Sequence, residues 1–549
     1  MKRIRTLMVR AVFSYSMSVP EEQYTKRTRP LVHVMLIVIV VSIAAVFCFY
    51  NLGGRSISRA DESLYARSVQ EMLDSHSWIP TLHGSPFLHK PPLVQLLMSL
   101  AVAVCGDATW VYRIPTALAG FIYVILIPFF AYRLFRSLAV VAFSFVAILS
   151  CKMLFFSHLI REAVPDGLLI LFLLLGLICG WELWRELLRS SVHSRKALVL
   201  EVLFGTTVLL ALFAKSVAGL MSLIIWWVWM LGYGRSALRP IRRLIAIGIF
   251  TTLLPIAIFT AGYLVILNAV PGTFGAAVHY EVIEKLVGEG HHNTSAPYYY
   301  VSQLFVNGRA FPAFVLVLAL SLGLVRAVRG DARCAYLSIA VFVPLVGYSF
   351  LHSRLYWYIA PVFAPCAVLI GFLVDACLKR DRFLENNRVS RFATLLGGAI
   401  VLVLLGLHIF HVVKEQLMGD RRTKLETRVQ ELLARKVSNP NMQIVLLCID
   451  PADQYFKSLL LREWFYLDML KPYASSVCTA GQVQEILETP GPKIVVTAPH
   501  REGLLPQTAH VLERVSIKVD RWKGISKPNR VRELVFFQIN PAPSIVESN

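Results

Sequence analysis

Residues 58–93 crowd reactive side chains together: Asp61 beside Glu62, then Trp78, Pro80, Gly84 and the run His89-Lys90-Pro91-Pro92-Leu93. A carboxylate held near a hydroxyl can take its proton or orient it. An ammonium such as Lys90 can bind an anion and stabilise charge growing on a departing group. Asp61 stands where a helix N-cap belongs, and Leu64, Tyr65, Val69, Met72 and Leu73 follow helical spacing behind it. The spacing predicts a short amphipathic helix on a membrane surface, with Glu62, Arg67, Gln70, Glu71 and Asp74 on its polar face. An isolated Asp at this point would simply cap the helix. The company it keeps favours chemistry, because Pro91-Pro92 cannot continue a helix and so pins His89 and Lys90 close to two carboxylates. Adjacent helical residues point about 100° apart, so Asp61 and Glu62 cannot serve one atom together. Asp61 is the expected reactive group, and Glu62 its neighbour.

These residues need a scaffold, and composition says which. The 549 residues are 56% hydrophobic and 16% charged. A mean hydropathy of +0.60 leaves too little polar surface for a water-soluble particle of this size. Apolar stretches near 20 residues recur from Val32 to about Val412 and read as membrane helices. The formal charge of +21 gathers in short segments between them, which is the pattern of cytoplasmic loops. No basic stripe with interleaved aromatics suggests nucleic acid. Lys2 to Arg29 should hold the N-terminus (1–30) in the cytoplasm, as should the clusters 185–196, 235–243, 326–333 and 379–391 their own segments. Loop 51–92, segments 152–163 and 351–355, loop 270–310 and the tail 414–549 are then external. Residues 93–151 must cross an even number of times but hold three apolar runs. Either one of them is re-entrant, or the last splits into two short helices, which is preferred and gives about 13 transmembrane helices. The tail reads as a small α/β domain, with strands at 442–449, 493–497, 515–519 and 533–539 and a helix at 451–469. The expected fold is therefore mostly α, a polytopic membrane domain (31–413) followed by an external α/β domain. Cys448 and Cys478 could pair there; the cysteines otherwise show no metal-ligand spacing.

The first-loop pattern DE-x-x-Y-A, W-x-x-P, then KPPL resembles the ArnT-like and protein O-mannosyltransferase group of integral-membrane glycosyltransferases, which have the GT-C fold. Arg161-Glu162-Ala163-Val164-Pro165-Asp166 is similar to that group's second acidic motif, and Leu212 to Leu220 (LFAKSVAGL) to its FLTKGPVGL segment. Pro297 to Tyr300 resembles its aromatic run, and His352 to Pro361 its segment ending Y-x-L-P. The resemblance runs over about 31–413, and the topology places every one of these segments outside. It implies inverting transfer of a sugar (a pentose or hexose, aminoarabinose among them) from a polyprenyl-phosphate donor, such as undecaprenyl phosphate, to lipid A or another envelope acceptor. The site would face the periplasm from the inner membrane. Asp61 and Asp166 would be catalytic, and Glu62, Tyr65, Lys90, Arg161, Lys215, Arg354 and Tyr358 would bind substrate. That donor fits the residues too, since no Gly-rich nucleotide loop appears.

The ArnT branch has Glu before KPPL and a His in the large loop, which hold a divalent metal. Here His89 and the Glu281 region stand in those places. An exchanged zinc site from His89 with Glu281 or His279 is one expectation, and its loss is the other. Transfer to protein, as in O-mannosylation, is the alternative within the family. A polytopic transporter is the alternative outside it, and would need ionisable residues at helix centres.

Overall fold

The computed structural model describes residues 30–54, 57, 61–82, 84–88, 90–156, 158–189, 194–233, 241–270, 275, 298–306, 310–351, 354–378, 388–418, 443–447, 475–478, 493–497, 505, 510–518 and 531–539. The basic N-terminal flank, most of loop 270–310, the tail helix 451–469 and Cys448 lie outside them. The chain falls into two compact units, one of Met1–Leu52 with Ser68–Leu417, the other of Gly53–Arg67 with Met418–Asn549.

The first unit is a helical bundle. Seven helices are long and apolar enough to cross a membrane, and four shorter apolar ones accompany them. Apolarity does not track burial. The windows of Tyr356–Leu378 and Arg243–Asn268 have mean hydropathies of 2.1 and 2.3, yet are 89% and 17% buried. Water would not tolerate that second surface, whereas lipid requires it. The protein is a multi-pass membrane protein. In chain order its helices are α1 (Pro30–Phe49), α2 (Asp61–Asp74), α3 (Leu93–Cys105), α4 (Thr109–Phe135), α5 (Leu138–Leu149), α6 (Asp166–Arg189) and α7 (Arg195–Lys215). A 3-10 turn (Ser216–Leu220) leads to α8 (Met221–Gly232), followed by α9 (Ile241–Gly248) and α10 (Leu254–Asn268). Then come α11 (Ala313–Val328), α12 (Ala332–Ser349), a 3-10 turn (Tyr356–Val362), α13 (Phe363–Leu378) and α14 (Arg388–Met418).

The expectation for 93–151 needs correction. The run 137–151 does not split: α5 is one helix, followed by the short turn Lys152–Phe156. Helix α3 is tied at both ends. The loop before it is fastened near the far end of α10, where Tyr263 donates to the Leu88 carbonyl at 2.8 Å and Leu88 packs on Leu267. The helix after it starts at the end of α1, because Arg113 of α4 donates to the Leu52 carbonyl at 2.8 Å.

In the second unit a five-stranded sheet is ordered β4-β3-β5-β7-β6, where β3 is Gln443–Leu447, β4 Ser475–Cys478, β5 Lys493–Thr497, β6 His510–Lys518 and β7 Val531–Ile539. A two-residue hairpin in the first unit, Thr81–Leu82 with Ser85–Pro86, gives β1 and β2. Strand β3 pairs parallel with β4 and β5, while β7 runs antiparallel to β5 and β6. Parallel strands buried on both faces read as continuous apolar runs, as QIVLL and KIVVT do. The strand missed by sequence, β4, is short and half serine (SSVC).

Candidate active site

At the outer end of the bundle two neighbouring helices meet tip to tail. Asp166 is the first residue of α6 and Lys215 the last of α7. The Lys215 ammonium donates to Asp166 Oδ1 at 2.5 Å, and both side chains are only 5% exposed. A lysine near a membrane surface can snorkel to water. This one turns inward, under the ring of Tyr358, whose centroid lies 4.8 Å from Nζ. Burying either charge alone would be costly; the pair and the aromatic face offset that cost.

The chain is folded tightly to achieve this. After Lys215 the 3-10 turn doubles back onto α7. A Cβ on Gly219 would stand 2.4 Å from the backbone of Ala211 and Leu212, so only glycine fits. Ser216, the residue between, takes a φ of 49°, a conformation disfavoured for a side chain with Cβ. On the acidic side, Thr116 of α4 donates to the Glu162 carbonyl at 2.8 Å and braces the segment that delivers Asp166.

Aromatic residues roof the pair. Tyr348 of α12 lies 6.3 Å from Tyr358, ring to ring, and Tyr300 lies 6.4 Å from Tyr348. Beside them Trp357 packs on His158 at 4.5 Å, and His158 Nδ1 meets Glu162 Oε2 at 3.0 Å. Burial pushes the Tyr300 phenol well above its ordinary pKa, and the neighbouring Tyr358, Tyr348 and Tyr299 add to this, so it stays a neutral donor. Arg354 is buried and donates to the Ser349 carbonyl at 2.9 Å. Lys90 is half-buried, just beyond the hairpin. Glu71 anchors that hairpin by accepting from Thr81 Oγ1 at 2.7 Å and from the Gly84 amide at 3.2 Å.

Two expected roles change. Arg161 donates to the carbonyls of Phe47, Cys48, Tyr50 and Asn51 at 2.8 to 3.3 Å. Phe47 and Cys48 are in the last turn of α1 and Tyr50 and Asn51 just follow it, so Arg161 closes the end of that helix. Helix α2 is also not polar on one side. Glu62 and Gln70 are buried, while Asp61, Leu64, Arg67, Glu71 and Asp74 form its accessible strip. Asp61 and Glu62 therefore do point apart. Asp61, Glu62 and Tyr65 cluster with the second unit, whereas Asp166, Lys215, Arg354 and Tyr358 are brought together in the first. His89, His279 and Glu281 lie outside the described residues. Among the described residues no group of three or more His, Cys, Asp or Glu could hold a metal.

A groove of about 660 Å³ opens between α8, α11 and α12. Met221, Ile224, Phe342, Val343 and Phe350 line it, with Ser338 one of its few polar groups. Met221 directly follows the turn after Lys215, and Gly347 precedes Tyr348.

The bundle matches a known architecture. ArnT from Cupriavidus metallidurans, solved bound to undecaprenyl phosphate, superposes with a TM-score of 0.60 at 15% identity, covering 92% of this chain and 98% of that one. The archaeal oligosaccharyltransferase AglB from Archaeoglobus fulgidus gives 0.50 at 12% identity, over 78% of this chain and 63% of that one. Residues 34–270 match the profile of the dolichyl-phosphate-mannose-protein mannosyltransferase family. This chain has the fold of ArnT. The undecaprenyl phosphate-alpha-4-amino-4-deoxy-L-arabinose arabinosyl transferase of Pseudomonas savastanoi pv. phaseolicola is 25% identical over 370 residues, 65% of this chain and 64% of that protein. Its counterpart in Enterobacter sp. is 21% identical over 352 residues, 64% and 61%. An uncharacterised Aquifex aeolicus protein is 30% identical over 154 residues, 26% and 30%. The chain thus spans less than two thirds of the length of these relatives. The likeness to solved structures establishes the fold of this chain.

Proposed function

We propose that this protein is a membrane glycosyltransferase that moves a sugar from a polyprenyl-phosphate donor to a lipid acceptor at the periplasmic face of the inner membrane. The observation that carries this reading is the buried Lys215–Asp166 pair under Tyr358, in a bundle that also carries an apolar groove lined from Met221, just after the turn that follows Lys215. A polyprenyl phosphate is an anion on a long hydrocarbon. The ammonium meets the phosphate, and the groove takes the chain. As the bond from the anomeric carbon to phosphate breaks, negative charge grows on the leaving oxygen, and a fixed cation in a dry site stabilises it. Arg354 and Lys90 add positive charge at the outer side. Asp61 takes the proton of an acceptor hydroxyl, or orients an acceptor phosphate, for a single inverting displacement. Zinc on His89 with Glu281 or His279 belongs to this proposal, and metal analysis of the purified protein tests it: no stoichiometric zinc removes it.

The profile match over 34–270 favours a second reading, in which the acceptor is a protein. Membranes containing the protein, given undecaprenyl phosphate bearing a labelled sugar, should transfer label. Mass spectrometry of the product then separates lipid from protein acceptors. Lys215→Met and Asp61→Asn should each abolish transfer, and full transfer by Asp61→Asn would remove that residue from the chemistry.

A further inference from the structure

Two polar side chains beside the site lack partners among the described residues. The helical turn Tyr299–Val301 runs directly into the π turn Ser302–Val306. On it Tyr300 is fully buried and Gln303 is 9% exposed. Among the described residues neither Tyr300 Oη nor Gln303 Oε1 has a hydrogen-bond partner. The two residues stand three positions apart on this short helical stretch.

Buried polar groups without partners are rare, and each calls for a cause. Two within one short helical stretch are rarer, and Tyr300 adjoins the aromatic roof. The Tyr300 ring lies 6.4 Å from Tyr348, which lies 6.3 Å from Tyr358, the ring over the Lys215 ammonium. The charge of Arg354 also acts on the Tyr300 hydroxyl. A phenol gives one O–H, well suited to an anionic oxygen. An amide oxygen accepts, and suits a hydroxyl. An oxyanion joined to hydroxyls is a sugar phosphate.

We propose that Tyr300 and Gln303 form the headgroup subsite for the donor, with Tyr300 donating to a phosphate oxygen and Gln303 accepting from a sugar hydroxyl. This rests on the transferase reading and assigns residues to its donor. The arrangement explains the unpaired atoms: the ligand supplies the missing partners.

The test uses the full chain in lipid nanodiscs, with Tyr300→Phe and Gln303→Met. Removing an unpartnered buried hydroxyl should leave the melting temperature unchanged or higher, because nothing in the folded protein loses a bond. Tyr300→Phe should weaken binding of undecaprenyl phosphate about ten-fold, the loss of one charge-assisted hydrogen bond. Gln303→Met should leave that affinity unchanged but raise KM for the sugar-bearing donor by a similar factor. A lower melting temperature with unchanged donor binding in Tyr300→Phe would overturn the assignment, since the hydroxyl would then be structural. A wild-type protein that neither binds undecaprenyl phosphate nor transfers sugar would overturn the transferase reading, and this subsite with it. Wild-type transfer with unaffected variants would overturn the subsite alone.

Discussion

Helix α6 carries ion pairs at both ends, and they differ in kind. At the outer end Asp166 meets Lys215, both 5% exposed, with the ring of Tyr358 above. At the inner end Glu182 takes Arg133 in a two-pronged contact, with Nε at 2.8 Å, and Arg185 at 3.5 Å. Glu186 pairs there with Lys196 at 3.1 Å, and that lysine is 65% exposed. The inner pairs sit in a wet, positively charged rim. Each charge would be solvated without its partner, so the pairing adds little. The outer pair has no such refuge. A fold that keeps two charges in an apolar place points to a use for one of them, which makes the Asp166 end of α6 the candidate site.

The strongest way to break the comparison is to remove one outer charge. Lys215→Met leaves Asp166 buried and unpaired, which should cost about 3–5 kcal/mol of stability. Transfer should fall at least about a hundred-fold, as expected when a cation on a departing oxyanion is lost. The double variant Lys215→Met/Asp166→Asn separates these effects. Stability should largely return, because no charge remains to be paired, while transfer stays lost. Thermal melting and the labelled-donor assay read the two. A double variant that recovers transfer would show that the pair only holds the helices together.

Much of this was legible as residue types and little of it as partnerships. Asp166 and Lys215 stand out in sequence as charges flanked by apolar residues, but they are 49 positions apart and only the packing of α6 on α7 joins them. Arg161 and Arg354 look alike to a reader of sequence, each a basic residue at an outer helix end. The carbonyls at the end of α1 distinguish Arg161, and carbonyls leave no mark in a sequence. The amphipathic reading of α2 failed for a related reason. Periodicity marks an apolar face only where the opposite face meets water, and Glu62 and Gln70 do not. The long apolar helices were readable because lipid imposes length and composition together. The sequence left open which run in 93–151 is re-entrant, because the anchors of α3, Tyr263 and Leu52, lie elsewhere in the chain.

Gly219→Ala is the next largest perturbation. The added methyl would strike backbone atoms at 2.4 Å, which cannot move aside as a side chain would. The turn behind Lys215 must open, and a loss of about 2–4 kcal/mol is expected from such overpacking. Donor affinity should fall along with the melting temperature. A variant that loses stability but binds undecaprenyl phosphate normally would separate the turn from the placement of Lys215.

A smaller effect belongs to the inner side, at Asp331, just before α12. Its carboxylate accepts from the Arg333 and Cys334 amides at 3.0 and 3.5 Å and from the Arg333 guanidinium. Burial alone would raise its pKa, yet the Arg333 contacts hold it below the usual carboxylate range. A depressed carboxyl contributes stability above its unfolded pKa of about 4, and that contribution disappears as pH falls through the lower folded value. Asp331→Ala should therefore be about 1 kcal/mol less stable at pH 7, the usual size of an N-cap. The gap should close in acid. A gap independent of pH would mean that packing, rather than the charge, had been lost.

The smallest change is expected at Glu182, and that is its value. The residue faces two arginines, so the number of contacts alone would make it the more important acid of α6. Its arginine partners are 31% and 23% exposed, and water replaces much of what a substitution removes. Glu182→Gln keeps the shape and one acceptor oxygen. It should cost no more than about 1 kcal/mol and leave transfer unchanged. Raising ionic strength should weaken the wild-type contact and shrink even that difference, while the outer pair, shielded from ions, should not respond. Melting temperatures of Glu182→Gln and Lys215→Met at low and high salt test both halves at once. Equal salt sensitivity at the two ends would mean that water reaches the Lys215 ammonium, and the dry site on which the chemistry depends would not exist.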